Sequence, residues 1–133
     1  MANVTLKATS IMPSITVSDI EVSRRFYVDG LGFTLKDEWK DDSGKVNGLM
    51  LSAGSEAHGI GVAQDDFKKG RDRVKGIGTR VWIETNDVAA VAASIKAAGF
   101  PLESEAAPLP WGPIGFMVSD PDGYKFTVLE PSP

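Results

Sequence analysis

The chain contains no cysteine. Disulfides, thiolate metal centres, iron–sulfur clusters and cysteine nucleophiles are therefore excluded. It has one histidine, His58. A two-histidine zinc site, or an iron site of two histidines and a carboxylate, cannot be assembled within one chain. No apolar run approaches the ~20 residues that cross a bilayer. The start, MANVTLKATSIMPS, lacks a basic stretch followed by a long apolar one, so no secretory signal is expected. A cytoplasmic protein with no membrane partner is the expectation. Positive charge is also short: 14 Lys+Arg stand against 18 Asp+Glu, a net charge of −4. Such a surface suits nucleic-acid phosphates poorly, and no nucleic-acid partner is expected. There is no phosphate-cradling glycine loop and no Gly-x-Ser-x-Gly elbow.

What is present is the balance of a globular protein, 42% apolar and 24% charged over 133 residues, enough for one domain spanning 1–133. One pattern occurs twice. Ile15-Thr-Val-Ser-Asp19 precedes an amphipathic run that ends at Gly30-Leu-Gly32-Phe33. Val81-Trp-Ile-Glu-Thr-Asn-Asp87 precedes another that ends at Ala98-Gly99-Phe100. Each half reads strand, capped helix, Gly-Phe, then more strands. Asp19 or Ser18 can cap the first helix, and Asn86 or Asp87 the second. Gly30 or Gly32, and Gly99, supply the left-handed stops. Strands are expected at about 11–17, 33–40, 46–53 and 58–64, then at about 79–85, 101–105, 114–119 and 124–130. Pro121-Asp122-Gly123 is a tight turn. The modules run from about 8 to 65 and from about 79 to 131. The charged, glycine-rich stretch 66–78 reads as a linker and as the most mobile segment, and the tail 131–133 as frayed.

Val17-Ser-Asp19-Ile, Ser23, Phe26-Tyr27 and Leu31-Gly32-Phe33, followed by Trp111-Gly112, Asp120-Pro-Asp-Gly123 and Glu130, resemble the vicinal oxygen chelate superfamily. This is the glyoxalase/bleomycin-resistance/dioxygenase group. The resemblance covers nearly the whole chain. It implies an α+β fold of two βαβββ modules whose curved mixed sheets surround a cup-shaped cleft, and it implies a homodimer. It does not imply one activity. Metal-dependent members carry ligands at positions that fall here on Met12, Arg80 and Thr127. A thioether, a guanidinium and a lone hydroxyl do not hold a hard divalent ion. The expectation is therefore no metal and no cofactor.

Strand alternation divides the side chains into two faces. Ile15, Val17, Val81, Ile83, Phe126 and Val128 form the apolar sets expected beneath the helices. Met12, Ser14, Thr16, Arg80, Trp82, Glu84 and Thr127 fall on the opposite face, toward the cup. With Trp39 and the proline-flanked Trp111, they form the candidate ligand-binding set. Aromatic walls beside a carboxylate suit a planar or cationic organic molecule. Arg80 and Glu84, four residues apart on one face, can meet opposite ends of a polar ligand. The sequence thus points to metal-independent binding of a small aromatic or cationic molecule, of the drug- or toxin-sequestering, antibiotic-resistance kind. The alternative is a glyoxalase-like lyase or isomerase, or a dioxygenase-type enzyme, with non-standard metal ligands. A third reading is a regulatory subunit with a vestigial pocket. No catalytic residue is assigned. Trp82 as plain core, Arg80 as a salt-bridged rim residue, Glu130 as a surface carboxylate and His58 as an edge histidine are the competing structural readings.

Overall fold

The computed structural model describes residues 6–68 and 74–131, apart from the side chains at positions 56 and 57. The first half runs β1 (Ser14–Val17), α1 (Ile20–Arg24), β2 (Thr34–Lys40), β3 (Val46–Ala53) and β4 (Ser55–Gln64). The second runs β5 (Arg80–Glu84), α2 (Val88–Ala97), β6 (Ala107–Pro108), β7 (Ile114–Ser119) and β8 (Lys125–Leu129). The sheets have matching strand orders, β1-β4-β3-β2 and β5-β8-β7-β6. In each, the strand before the helix pairs in parallel with the last strand and the remaining pairs are antiparallel. This is the βαβββ unit, used twice.

Local chemistry sets the helix ends. The Asp19 carboxylate accepts from the backbone N–H of Glu21 and Val22, satisfying donors that the first turn leaves free. Helix α1 then widens into a π-helical segment over Arg25–Leu31, which stops at Gly32 with φ +90°. At α2 the side chain of Asp87 makes no capping bond. Instead Thr85 Oγ1 accepts from the Asp87 N–H, so the expected Asn86 or Asp87 side-chain cap is replaced by a turn one step earlier. The strand expected at 101–105 is absent. There the N–H groups of Glu103 and Ser104 both reach the Met117 carbonyl, a convergence that a regular ladder does not permit, and the short edge strand forms later as β6. Strand β4 begins at Ser55, three residues earlier than expected, so His58 lies inside it.

The apolar sets meet in one core. Phe26, Tyr27, Phe116 and Phe126 are fully buried with Ile95, Val17 and Val128. Phe26 makes edge contacts with Tyr27 and Phe100, and Tyr27 with Phe33 and Phe126. At Gly30 the π segment packs closely on α2, with Ile95 Cα 3.6 Å from where a methyl group would sit. Polar bonds join the halves. Tyr27 donates to Asp120 Oδ2 at 2.6 Å, the Ser18 N–H donates to Asp122 Oδ2 at 3.0 Å, and the Tyr124 hydroxyl donates to the Thr16 carbonyl at 2.8 Å. The Asp120–Gly123 turn is thus both a tight turn and a clasp onto the end of β1.

The stretch read as a mobile linker is pinned where it is described. Lys75 Nζ lies 2.9 Å from Asp65 Oδ2, an ion contact without hydrogen-bond alignment at that oxygen, and both side chains are buried. Gly76 packs so tightly on the Asp120–Gly123 turn that a methyl group there would fall 2.4 Å from the Gly123 carbonyl oxygen. Residues 69–73, and 132–133 of the tail, lie outside the described residues. Among the described residues no helix is long and apolar enough to cross a membrane.

Candidate functional site

Each sheet buries one face beneath the helices and presents the other outward. On the second sheet the outward row on β5 is Arg80, Trp82 and Glu84, and Val81 and Ile83 pack inward. The registers Trp82↔Thr127 and Met117↔Thr127 place these three side by side. Thr127 lies on this outward face yet is 1% exposed, shielded between its neighbours. Its Oγ1 accepts from Arg80 Nη1 at 3.3 Å, so the guanidinium is drawn over the face instead of hanging off its rim in a salt bridge.

Trp82 is 59% exposed and Trp111 is 50% exposed, which removes the reading of Trp82 as plain core. Their rings stack, 5.7 Å between centroids and 10° from parallel. Trp111 is held by a closed loop: the Leu109 N–H donates to the Pro113 carbonyl, the Gly112 N–H donates to the Leu109 carbonyl, and Gly112 sits at φ +119°. The pair forms one wall of an open groove of about 710 Å³ that Glu84, Leu129 and Glu130 also line. Glu130 Oε2 accepts from the Ile114 N–H, so this carboxylate is tethered to the groove. Its position in the site was not legible beforehand, since only the pairing of β7 with β8 brings it there.

At the Arg80 end the charges are arranged differently. Glu103 bonds the Ser119 hydroxyl and sits 3.5 Å from Lys125 Nζ. The Ser119 bond first, and then the positive charges of Lys125 and Arg80, hold its carboxyl below the usual range.

The first sheet's outward face is different in kind. Met12, Ser14 and Trp39 line a groove of about 320 Å³ with Met50, Gly48 and Gly61. The Trp39 ring lies over Gly48, where a methyl group would meet Cε3 at 3.1 Å. Thr16 is half-buried, and its N–H donates to the Tyr124 hydroxyl. Met12, Ser14 and Trp39 therefore gather on the first sheet. Arg80, Trp82, Glu84, Trp111 and Thr127 gather on the second. A further groove, of about 510 Å³, has His58 and Glu84 among its lining residues, alongside Trp82.

The family's metal-ligand positions do not fit a hard cation here. Met12 stands before β1 beside the first sheet's groove, and Arg80 and Thr127 lie on the second sheet. A fixed guanidinium already fills the place beside the only hydroxyl of the three.

The family model described as the Glyoxalase/Bleomycin resistance protein/Dioxygenase superfamily matches residues 8–128. Among solved structures, the chain is similar to TnmS3, an antibiotic binding protein from Streptomyces sp. CB03234. The identity is 25% over 98% of this chain and 100% of that one, with a TM-score of 0.68. TioX from Micromonospora sp. ML1 shares the fold at 20% identity over 91% of this chain and 98% of that one, with a TM-score of 0.69. A glyoxalase I mutant from Zea mays shares it at 22% identity over 93% of this chain and 45% of that one, with a TM-score of 0.73. No curated protein matches in sequence.

Proposed function

The chain belongs to the Glyoxalase/Bleomycin resistance protein/Dioxygenase superfamily, and on that premise we propose that it binds a planar, cationic organic molecule without a metal, sequestering a compound of the antibiotic or toxin kind. The observation that carries this reading is the stacked Trp82–Trp111 pair, half-exposed beside Glu84 and Glu130. Two indoles left open to water forgo burial that a core would give them. A flat ligand laid on the stack recovers that area, and its positive charge meets both the ring faces and the carboxylates. The antibiotic binding described for TnmS3 supports the same class of ligand.

The working unit is a homodimer. Met12 and Trp39, away from the stacked indoles, are large apolar side chains exposed by 38% or more, and a second copy gives them cover. Sedimentation velocity at micromolar concentration checks this, with a species of twice the chain mass expected.

Titration with 10-methylacridinium tests the ligand class through tryptophan fluorescence. Saturable quenching is expected, at least tenfold tighter than for uncharged 9-methylanthracene. No saturable quenching by either probe overturns the proposal. A second reading, a metal-dependent enzyme, draws on His58 and Glu84 lining one groove. Elemental analysis decides for it if the purified protein carries a stoichiometric divalent ion whose removal lowers its melting temperature.

A further inference from the structure

We infer that the ligand of the second sheet's outward face is a zwitterion: a flat aromatic body with its cation toward Glu84 and Glu130 and an acidic group received by Arg80. This rests on the binding reading above and deepens it by naming the second charge. The face is dipolar along β5. Glu84 and Glu130 line the groove. Arg80 stands outside that lining, four residues from Glu84 on the same strand face, which is about 13 Å between Cα positions in extended chain. Trp82 lies between them on the strand.

Three observations make Arg80 a receiver rather than a rim charge. It is exposed, and among the described residues no carboxylate lies within ion-pair distance of it. Its Nη1 bonds a neutral hydroxyl, Thr127 Oγ1, which orients the guanidinium across the face and leaves other N–H donors for a ligand. The nearby acid that could have neutralised it, Glu103, is engaged by the Ser119 hydroxyl and Lys125. A guanidinium oriented by Thr127 beside an aromatic wall, with no carboxylate of the described residues in ion-pair contact, suits a carboxylate or phosphate carried by the same molecule that stacks on Trp82. A purely cationic ligand would leave that charge unused and would be repelled by it.

The test uses three matched probes. 10-(5-Carboxypentyl)acridinium carries both charges, its methyl ester carries the cation alone, and 6-(9-anthryl)hexanoate carries the acid alone. In wild-type protein at low salt the zwitterion should bind at least tenfold tighter than the ester, and the advantage should shrink in 0.5 M salt. Arg80→Gln should lower the zwitterion and close its gap to the ester, whose own binding should hold or tighten slightly as a repelling charge is removed, and Arg80→Lys should restore part of the difference. Equal binding of zwitterion and ester by the wild type overturns the inference, as does an unchanged gap in Arg80→Gln. In either case saturable binding of the ester keeps the cationic-ligand reading alive. Failure of the ester and the zwitterion alike to bind removes both. The wild-type comparison stands even if a variant fails to fold.

Discussion

The two sheets have the same strand order and the same inward chemistry, yet their outward faces share almost nothing. The groove on the first is neutral, floored by Gly48 and Gly61 and bordered by Trp39, Met12 and Met50. That on the second sets two stacked indoles beside Glu84 and Glu130, with Arg80 further along β5. Core packing constrains the inward positions of both halves alike, because helices must be buried on apolar surface. Outward positions carry no such constraint, so the repeated unit can keep its fold while each copy takes on its own chemistry.

The largest expected effect is on what the two halves share. Tyr27 donates to Asp120 across the boundary between them. Burial, with Asp120 beside it, pushes the phenol pKa up, so Tyr27 remains a donor. Tyr27→Phe leaves a buried carboxylate short of one partner and should cost about 1–3 kcal/mol in chemical denaturation. Burial already raises the Asp120 pKa while the Tyr27 bond opposes the shift. Losing that bond raises it further. The deficit should therefore be full above the raised pKa and shrink as the pH falls through it and the carboxyl protonates. A deficit that grows on acidification would show that the clasp does not work through Asp120.

The next effect separates the faces. Trp82→Ala should weaken 10-methylacridinium binding about tenfold or more, the loss of one stacking and cation–π surface. Trp39→Ala should change it less than about twofold, the tenths of a kcal/mol expected of a residue outside the contact. Isothermal titration of both variants checks the pair. Equal losses would mean that the ligand spans both faces and that the contrast drawn here is not a division of labour.

The smallest effect lies at the positive end of the second face. Ser119→Ala removes the main cause of the lowered Glu103 pKa. In the wild type that lowering contributes stability present above the ordinary carboxylate range and lost as the pH falls through the depressed value. The Glu103 side chain is 38% exposed, so after screening the variant should lose only about 0.5 kcal/mol at neutral pH. Urea titrations should show that difference at pH 7 and a shrinking one as the pH falls through the lowered value.

Much of the fold was legible because it is written in local periodicity. Alternation at Ile15 and Val17, and at Val81 and Ile83, gives the inward faces, and Gly32 and Gly99 mark helix ends with positive φ. The π segment was not legible. The apolar residues of this segment suit an α turn or a wider one, and the wider turn lets the adjacent Phe26 and Tyr27 both be buried. Within the site, strand parity placed Arg80, Trp82 and Glu84 on one face, since parity needs only neighbours in sequence. The stacking of Trp111 on Trp82 and the tethering of Glu130 depend on which strands pair and on how one loop closes, and no window of sequence carries that. The missing strand at 101–105 has the same origin, in the shared Met117 carbonyl.

The buried Asp65–Lys75 contact fixes where the path between the halves leaves one sheet and where it joins the next. Pulling the halves apart would break this contact, whereas exchanging halves between two molecules would re-form it across the pair. Sequence spliced between the two residues would add only the slowly growing entropy of a longer loop. The crossing is therefore held at both ends while tolerating cargo, and a peptide tag or fluorescent reporter placed there should leave both grooves as they are.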